Sequence, residues 1–375
     1  MLENFYNNLK KYWRDIDKPI FLSFLALFGL GVFFSFASTS TLAGERLNKD
    51  YYFFFTKHFI FAICSIFLMI TISWFKTKFL KKFLFPIFLV LLTTLFLVLF
   101  FGVEVKGSKR WLDLFFFRFQ PIEFLKPFFI VIVAQILSRE NFIPTSNSYF
   151  LSFLCLALPC IILLNQPDVG QTILLVLSWS AIVFVSGIKL IYIFGLLSVS
   201  FFLIVSLLFL FPEKFSYVFK RIEVFFDPSK GERFQSTKAL DAIKEGGLTG
   251  QGMGEGTLKD NVPEAHTDYV ISVITEEFGS VISIFLICIF LYISFKVIKF
   301  SLQDDNKFIK ISLCGLTSLL IFQTFIHIGV NTSLLPTTGM TLPFLSYGGS
   351  SMFGSAMLAG IIINFTKKRI SNENY

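Results

Sequence analysis

Apolar residues in this chain gather in long blocks, each closed by a short polar and often basic segment. A helix needs about 20 apolar residues to cross a hydrocarbon layer about 30 Å thick. Backbone groups in lipid must be bonded within the segment, so each block predicts a spanning helix. Ten blocks stand out: 20–38, 53–74, 80–101, 121–138, 149–164, 169–187, 189–211, 269–298, 307–330 and 345–365. The fifth to seventh are parted only by Asn165 to Asp168 and by Gly187 to Lys189. The first, from Pro19 to Ala37, is longer than the core of a secretory signal, so it predicts a retained span. The expected fold is all-α and polytopic, with ten transmembrane helices in one integral membrane domain over 1–375.

One segment breaks the rhythm. Residues 212–268 form a long loop between the seventh and eighth helices, 57 residues with 8 Lys/Arg and 10 Asp/Glu. Connections of this length are usually functional or disordered. Phe234 to Glu245 has apolar positions at helical spacing, Ser236 or Thr237 as a cap, and Gly246-Gly247 as a stop. No internal repeat is visible, so the inverted repeat of many transporters is not evident.

Composition sharpens the picture. The 375 residues are 54% apolar, 18% aromatic and 15% charged, with 53 Phe; the mean hydropathy is +0.72. A disordered chain, a collagen, a disulfide scaffold and a soluble enzyme are all poor fits. The net charge of +8 would suggest nucleic acid in a soluble protein. Here the cations flank the apolar blocks, which points to membrane topology instead. With the N-terminus inside, the inner segments hold 17 Lys/Arg, and the short outer segments with the helix edges hold 8. Both termini are expected in the cytoplasm, with 212–268 outside. Cys64, Cys155, Cys160, Cys288 and Cys314 all lie in apolar blocks without metal or disulfide spacing.

Candidate chemistry sits at the edges of the spans. The loop from Gly102 to Gln120 holds Lys106, Lys109, Arg110 and Arg118 around Trp111. Two readings fit it: an interfacial anchor with Trp111 in the headgroup belt, or an anion site whose guanidinium grips phosphate with two bonds. The fourth span opens with Pro121 at its first turn. Glu123 and Lys126 follow on one face; they read either as a local ion pair holding a kink at Pro127 or, because charges at membrane depth are costly, as functional residues. Asn165-Gln166-Pro167-Asp168 reads as a helix start, with Pro167 at the first position and Asp168 favoured by the dipole. Gly246 to Gly256 matches no nucleotide motif and reads as a flexible, close-packed turn.

Pro263-Glu264-Ala265-His266-Thr267-Asp268 opens the eighth span. Thr267 or Asp268 fits a helix cap, and Asp268 at the water–lipid boundary also fits a general base. Glu276 and Glu277 lie two turns deeper. His58 and His327 stand inside apolar blocks and read as core residues. Ser351, Ser355 and Ala359 offer a small-residue packing face.

Taken together, GSKRWLDLFFFRFQPIEFLKP, NQPDVGQT, GGLTGQGMGEG, PEAHTDYV, EEFG and HIGVNTSLLPTTGMTLPFLSYGGSS resemble the SEDS family of cell-wall polymerases, which includes FtsW, RodA and sporulation relatives. The motifs stand in the family's order over about residues 20–365. The resemblance implies a peptidoglycan glycosyltransferase that polymerises lipid II outside the cytoplasmic membrane. It also implies a class B penicillin-binding protein as transpeptidase partner, with other divisome proteins. It puts the family's essential outer-loop aspartate on Asp268, its loop arginine on Arg110, its paired acid and lysine on Glu123 and Lys126, and a further acid on Asp260. Lys109, Trp111, Glu264 and His266 complete the expected substrate site. PEAHTDYV and GMTLPF look more like FtsW, hence septal synthesis. Thr338 stands where FtsW sequences often have lysine, as in RodA-like sequences of the elongation machinery.

In the mechanism this resemblance suggests, Asp268 takes the proton of the acceptor sugar's 4-hydroxyl, and the anomeric carbon inverts. Arg110 and Lys126 compensate the leaving pyrophosphate, Glu123 orients Lys126, and there is room for a divalent cation, Mg2+ or Mn2+. A lipid II flippase and a recruiting scaffold are the rival classes; the boundary carboxylate and long outer loop favour chemistry.

Overall fold

In the computed structural model the described residues are 2–37, 53–105, 108–114, 117–138, 145–189, 216–226, 234–258 and 264–367, with Val262 and isolated positions between 191 and 212. The apolar blocks become helices. These are α2 (Lys18–Ala37), α3 (Phe53–Trp74), α4 (Thr77–Phe101), α5 (Pro121–Leu137), α6 (Thr145–Asn165), α7 (Val169–Val185), α10 (Val270–Gln303), α11 (Lys307–Asn331) and α12 (Gly349–Phe365). Six of them, α2, α3, α4, α6, α10 and α11, are long and apolar enough to cross a membrane; α7 and α12 are shorter apolar helices. The block 189–211 falls largely outside the described residues.

Three elements depart from the expected pattern. An amphipathic helix, α1 (Leu2–Asp15), precedes the first span. The all-α expectation misses a small antiparallel sheet of order β1-β2-β3, built from Val103–Val105, Ser108–Leu114 and Phe117–Phe119. Strands of three to seven residues are too short for alternation to reveal among aromatic neighbours. In the long loop lie α8 (Ser216–Phe226) and α9 (Phe234–Gly246), the second as its spacing predicts.

The core centres on α5, buried along nearly its whole length and touching α4, α6, α7, α11 and α12. Close approach depends on missing side chains. A Cβ at Gly354 of α12 would stand 3.0 Å from the carbonyl carbon of Glu123, so α12 packs backbone to backbone against α5. Ser350 Oγ, beside it, accepts from the Gln120 N–H at 2.9 Å and donates to the Arg118 carbonyl at 2.8 Å. Gly354 and Ser350, one turn apart on α12, thereby join it to α5 and to the end of the sheet, while Ser351 of the expected face bonds Thr341 Oγ1 at 2.6 Å.

α10 is two rods. Gly279 adopts φ +84° and ψ 166° inside it, a conformation glycine reaches easily and other residues do not. The glycine-rich segment 246–256 fills the break. Gln251 and Gly252 donate to the Glu276 and Glu277 carbonyls at 2.9 and 3.0 Å, and Ser280 N–H donates to the Gly247 carbonyl at 3.0 Å. Orphaned helix carbonyls are thus satisfied by the loop. Within it, Gly256 is buried, while Gly247, Leu248, Met253 and Gly254 face outward.

Candidate active site

Asp268 stands where the outer loop meets α10. A turn sets it there, because the Glu264 carbonyl accepts from the N–H groups of Thr267 and Asp268 at 3.0 and 3.1 Å. Neither Thr267 nor Asp268 caps the helix as expected; Tyr269 is the cap residue and makes no side-chain cap bond. The Asp268 carbonyl accepts from Asn331 Nδ2 at 3.0 Å, and Asn331 Oδ1 accepts from Ser272 N–H at 3.3 Å. One amide on α11 thereby fixes both the turn and the first turn of α10. Asp268 itself is half-buried.

Its carboxylate faces Arg110 across Gly339. A Cβ built on Gly339 would lie 3.6 Å from Asp268 Oδ2 and 4.0 Å from Arg110 Nη1. Gly339 has φ +72°, so glycine provides both the turn and the gap. Strand β2 aims Arg110 inward, where it is 9% exposed. Its Nε donates to the Gln166 carbonyl at 3.3 Å, its Nη2 donates to the Pro167 carbonyl, and it pairs with Asp168 Oδ2 at 3.6 Å. Asp168 is the cap of α7, accepting from Gln171 N–H; Pro167 precedes the cap rather than opening the helix as expected. Burial pushes the Asp168 carboxyl above its usual range, with Arg110 pulling the other way.

A second buried pair stands behind the first. Lys126 Nζ lies 2.9 Å from Glu123 Oε2 and donates to Gln323 Oε1 at 3.1 Å. Gln171 joins the two pairs: its backbone N–H bonds Asp168 and its Nε2 donates to Glu123 Oε1 at 2.7 Å. Gln323 closes the circuit by donating to the Thr341 carbonyl at 3.0 Å. The segment Thr337 to Thr341 is the hub. Arg221 of α8 donates to the Thr337 carbonyl at 3.0 Å, and His327 Nδ1 lies 2.8 Å from the Met340 carbonyl. A Cβ at Gly170 would meet Thr338 Cβ at 2.9 Å, so α7 is seated directly against this segment. A cavity of about 10 Å³ borders Glu123, Lys126, Gln323 and Ser355, room for a single water.

The structure therefore gathers Asp268, Arg110, Glu123 and Lys126 around one segment. Lys109 and Trp111 flank Arg110 on β2 and so point to the opposite face, Lys109 exposed and paired in register with Glu104. Glu264 shapes the turn, with φ +56° and Oε2 accepting from Thr267 Oγ1 at 3.2 Å. His266 stacks on Phe54 with ring centroids 5.8 Å apart. Asp260 lies outside the described residues. Gln171, Gln323, Asn331 and Arg221 were not singled out from sequence. The three amides look ordinary in a polar-flanked helix; Arg221 stands one turn into α8, among aromatic residues.

Among the described residues no group of three or more His, Cys, Asp or Glu could hold a metal ion; Asp268 faces a guanidinium rather than a second acid.

Comparison with known proteins bears on the fold and the family. The probable peptidoglycan glycosyltransferase FtsW of Caulobacter vibrioides is 35% identical over 96% of this chain and 91% of its own. The protein of the same name from Haemophilus influenzae is 33% identical over 99% and 96%. A solved peptidoglycan synthase complex, described as coordinating polymerization and crosslinking, contains a chain that superposes with a TM-score of 0.77 at 22% identity, over 94% of this chain and 97% of that one. RodA of Thermus thermophilus superposes at 0.69, with the same identity and coverage. The family described as cell cycle protein, comprising FtsW, RodA and SpoVE, matches residues 18–371. With that match and these relatives, the chain belongs to the FtsW/RodA/SpoVE family.

Proposed function

We propose that this chain is a peptidoglycan glycosyltransferase of the FtsW type, polymerising lipid II at the outer face of the bacterial cytoplasmic membrane during septal wall synthesis. The curated relatives carry that activity in their names. The observation that carries the assignment to a site is the half-buried Asp268 carboxylate facing Arg110 across Gly339. In the reaction, Asp268 accepts the proton of the acceptor 4-hydroxyl. The acceptor oxygen bonds to the donor anomeric carbon with inversion. The bond from that carbon to the diphosphate oxygen breaks, and its electron pair leaves on the diphosphate. Arg110 Nη1, on the Asp268 side of the guanidinium, meets the growing negative charge. The Glu123–Lys126 pair holds Gln323 and, through it, the Thr341 end of the hub. Charge compensation is assigned to the chain's own cations.

Ten spans with both termini cytoplasmic follow from the apolar blocks and the distribution of cations. A class B penicillin-binding protein as partner, among other divisome proteins, is supported by the complex in which the superposing chain was solved. Thr338 keeps an elongation role as the second reading. A septal or side-wall position of a fluorescent fusion separates the two.

The enzymatic test uses purified chain, lipid II and a penicillin-blocked partner. Glycan strands support a polymerase; translocation without strands indicates a flippase, and neither product indicates a scaffold. Asp268→Ala is expected to lower polymerisation by about 10²–10⁴-fold with unchanged thermal unfolding. Full activity in that variant would remove the base.

A further inference from the structure

At the opposite end of the bundle, α1 has a division of faces that the candidate active site does not explain. At 100° per residue, Tyr12, Ile16, Leu9, Trp13 and Tyr6 fall in one continuous arc. Lys10, Arg14 and Lys11 fall in the polar remainder with Asp15, and Lys10 and Arg14 stand next to the Trp13–Tyr6 edge. Arg14 Nε meets Asp15 Oδ1 at 3.3 Å, in an exposed pair that a phosphate can share.

The apolar arc is itself divided. Its inner edge packs on the protein. Ile16 is 2% exposed, and Tyr12 stacks on Trp74 at 4.8 Å while its hydroxyl lies 2.5 Å from Ser73 Oγ. Asn364 of α12 holds that end of α3, donating to the carbonyls of Ile72, Ser73 and Phe75 at 3.1, 3.2 and 2.7 Å. The outer edge points away: Tyr6, Leu9 and Trp13 are 64%, 45% and 44% exposed. An apolar edge pinned outward is not left over from folding.

The surroundings indicate what covers it. Lys18, three residues after α1 ends, begins the first span, so α1 lies where hydrocarbon meets water. Trp13 touches that span edge-on through Phe21 at 5.8 Å, and Lys18 Nζ sits 5.7 Å over its ring. At the same level, Trp74, Phe75 and Phe79 are exposed beside exposed Lys76, Lys78 and Lys82. Aromatic rings with cations at one level mark a membrane interface, and basic clusters there attract anionic headgroups. α3 runs 22 residues from Phe53, next to the Phe54 that stacks on His266, to Trp74, beside α1. That is about 33 Å at 1.5 Å per residue, so α1 belongs to the leaflet opposite Asp268.

We propose that α1 lies flat in the headgroup layer of that leaflet and that its cations, Lys10 and Arg14 beside the exposed edge and Lys11 across the polar side, bind anionic phospholipid. Tyr6, Leu9 and Trp13 enter the acyl boundary, and the cations meet the phosphates beside them. This holds whatever reaction the far end performs.

The test compares the full chain in nanodiscs of phosphatidylcholine with the full chain in an equimolar mixture with phosphatidylglycerol, by amide hydrogen exchange over residues 6–15. Exchange is expected to be slower by about tenfold to a hundredfold in the mixture, from about 1 kcal/mol per basic residue near the surface. Lys10→Glu/Lys11→Glu/Arg14→Glu is expected to lose the difference while the spans exchange as before. Equal exchange in the two lipids overturns the proposal. So does slowing by phosphatidylglycerol that survives in the triple variant, since the headgroups would then bind elsewhere.

Discussion

A methyl group at residue 339 would stand in the space that Asp268 and Arg110 share. Gly339→Ala therefore acts twice. The φ of +72° costs a side chain roughly 1–2 kcal/mol, and the methyl crowds both functional groups. Polymerisation is expected to fall by about 10²-fold, the cost of a small misplacement. Near-normal turnover in a lipid II assay would mean that the reaction does not use this gap. The Arg110–Asp168 pair, 9% and 2% exposed, makes a different demand. Arg110→Gln alone leaves a buried carboxylate without its paired cation, at a cost of about 3–5 kcal/mol. Adding Asp168→Asn removes that charge, so the double variant is expected to unfold at higher temperature than Arg110→Gln. Additive losses in melting temperature would show the pair to be uncoupled.

These residues were unequally visible in the sequence. Asp268, Arg110, Glu123 and Lys126 stood out because charge at a membrane edge is costly, and because the family resemblance named them. Gln171, Gln323 and Asn331 carry no charge and no spacing signal; their work depends on which partner the fold brings within about 3 Å. Lys109 and Trp111 were grouped with Arg110 by proximity along the chain, which a strand undoes by turning alternate side chains to opposite faces.

Among the elements, the spans were legible because lipid sets their length, and α9 because its spacing and stop agree. α1 escaped notice because basic residues before a span already have a topological meaning, which hid their helical spacing. The sheet escaped because its strands are short. The break in α10 could not be read at all: a glycine in an apolar run looks tolerated until another segment is seen to fill the gap. Gly279→Ala puts a Cβ 2.5 Å from the Leu248 carbonyl carbon at φ +84°, so the segment 246–256 must lift away. Limited proteolysis is expected to cut that segment in the variant and spare it in the parent. Protection of both would mean that the loop stays seated without the glycine.

For the molecule in its bilayer, the two helices that meet near Asp268 are exposed to lipid very differently. In their most apolar stretches α11, which holds the Asp268 carbonyl through Asn331, is 72% buried and α10 is 33% buried. The lipid-facing helix is the one with a joint. A lower rod that begins at Ser280 and tilts with the thickness of the surrounding membrane is expected to pass little of that tilt across the Gly279 break to the carboxylate. Turnover in thin and thick phosphatidylcholine bilayers is expected to differ by less than about twofold, below the roughly 0.6 kcal/mol of thermal energy. A steep dependence on acyl length would show that the hinge transmits the strain. A carboxylate set beyond such a joint would keep its register in membranes of uneven depth.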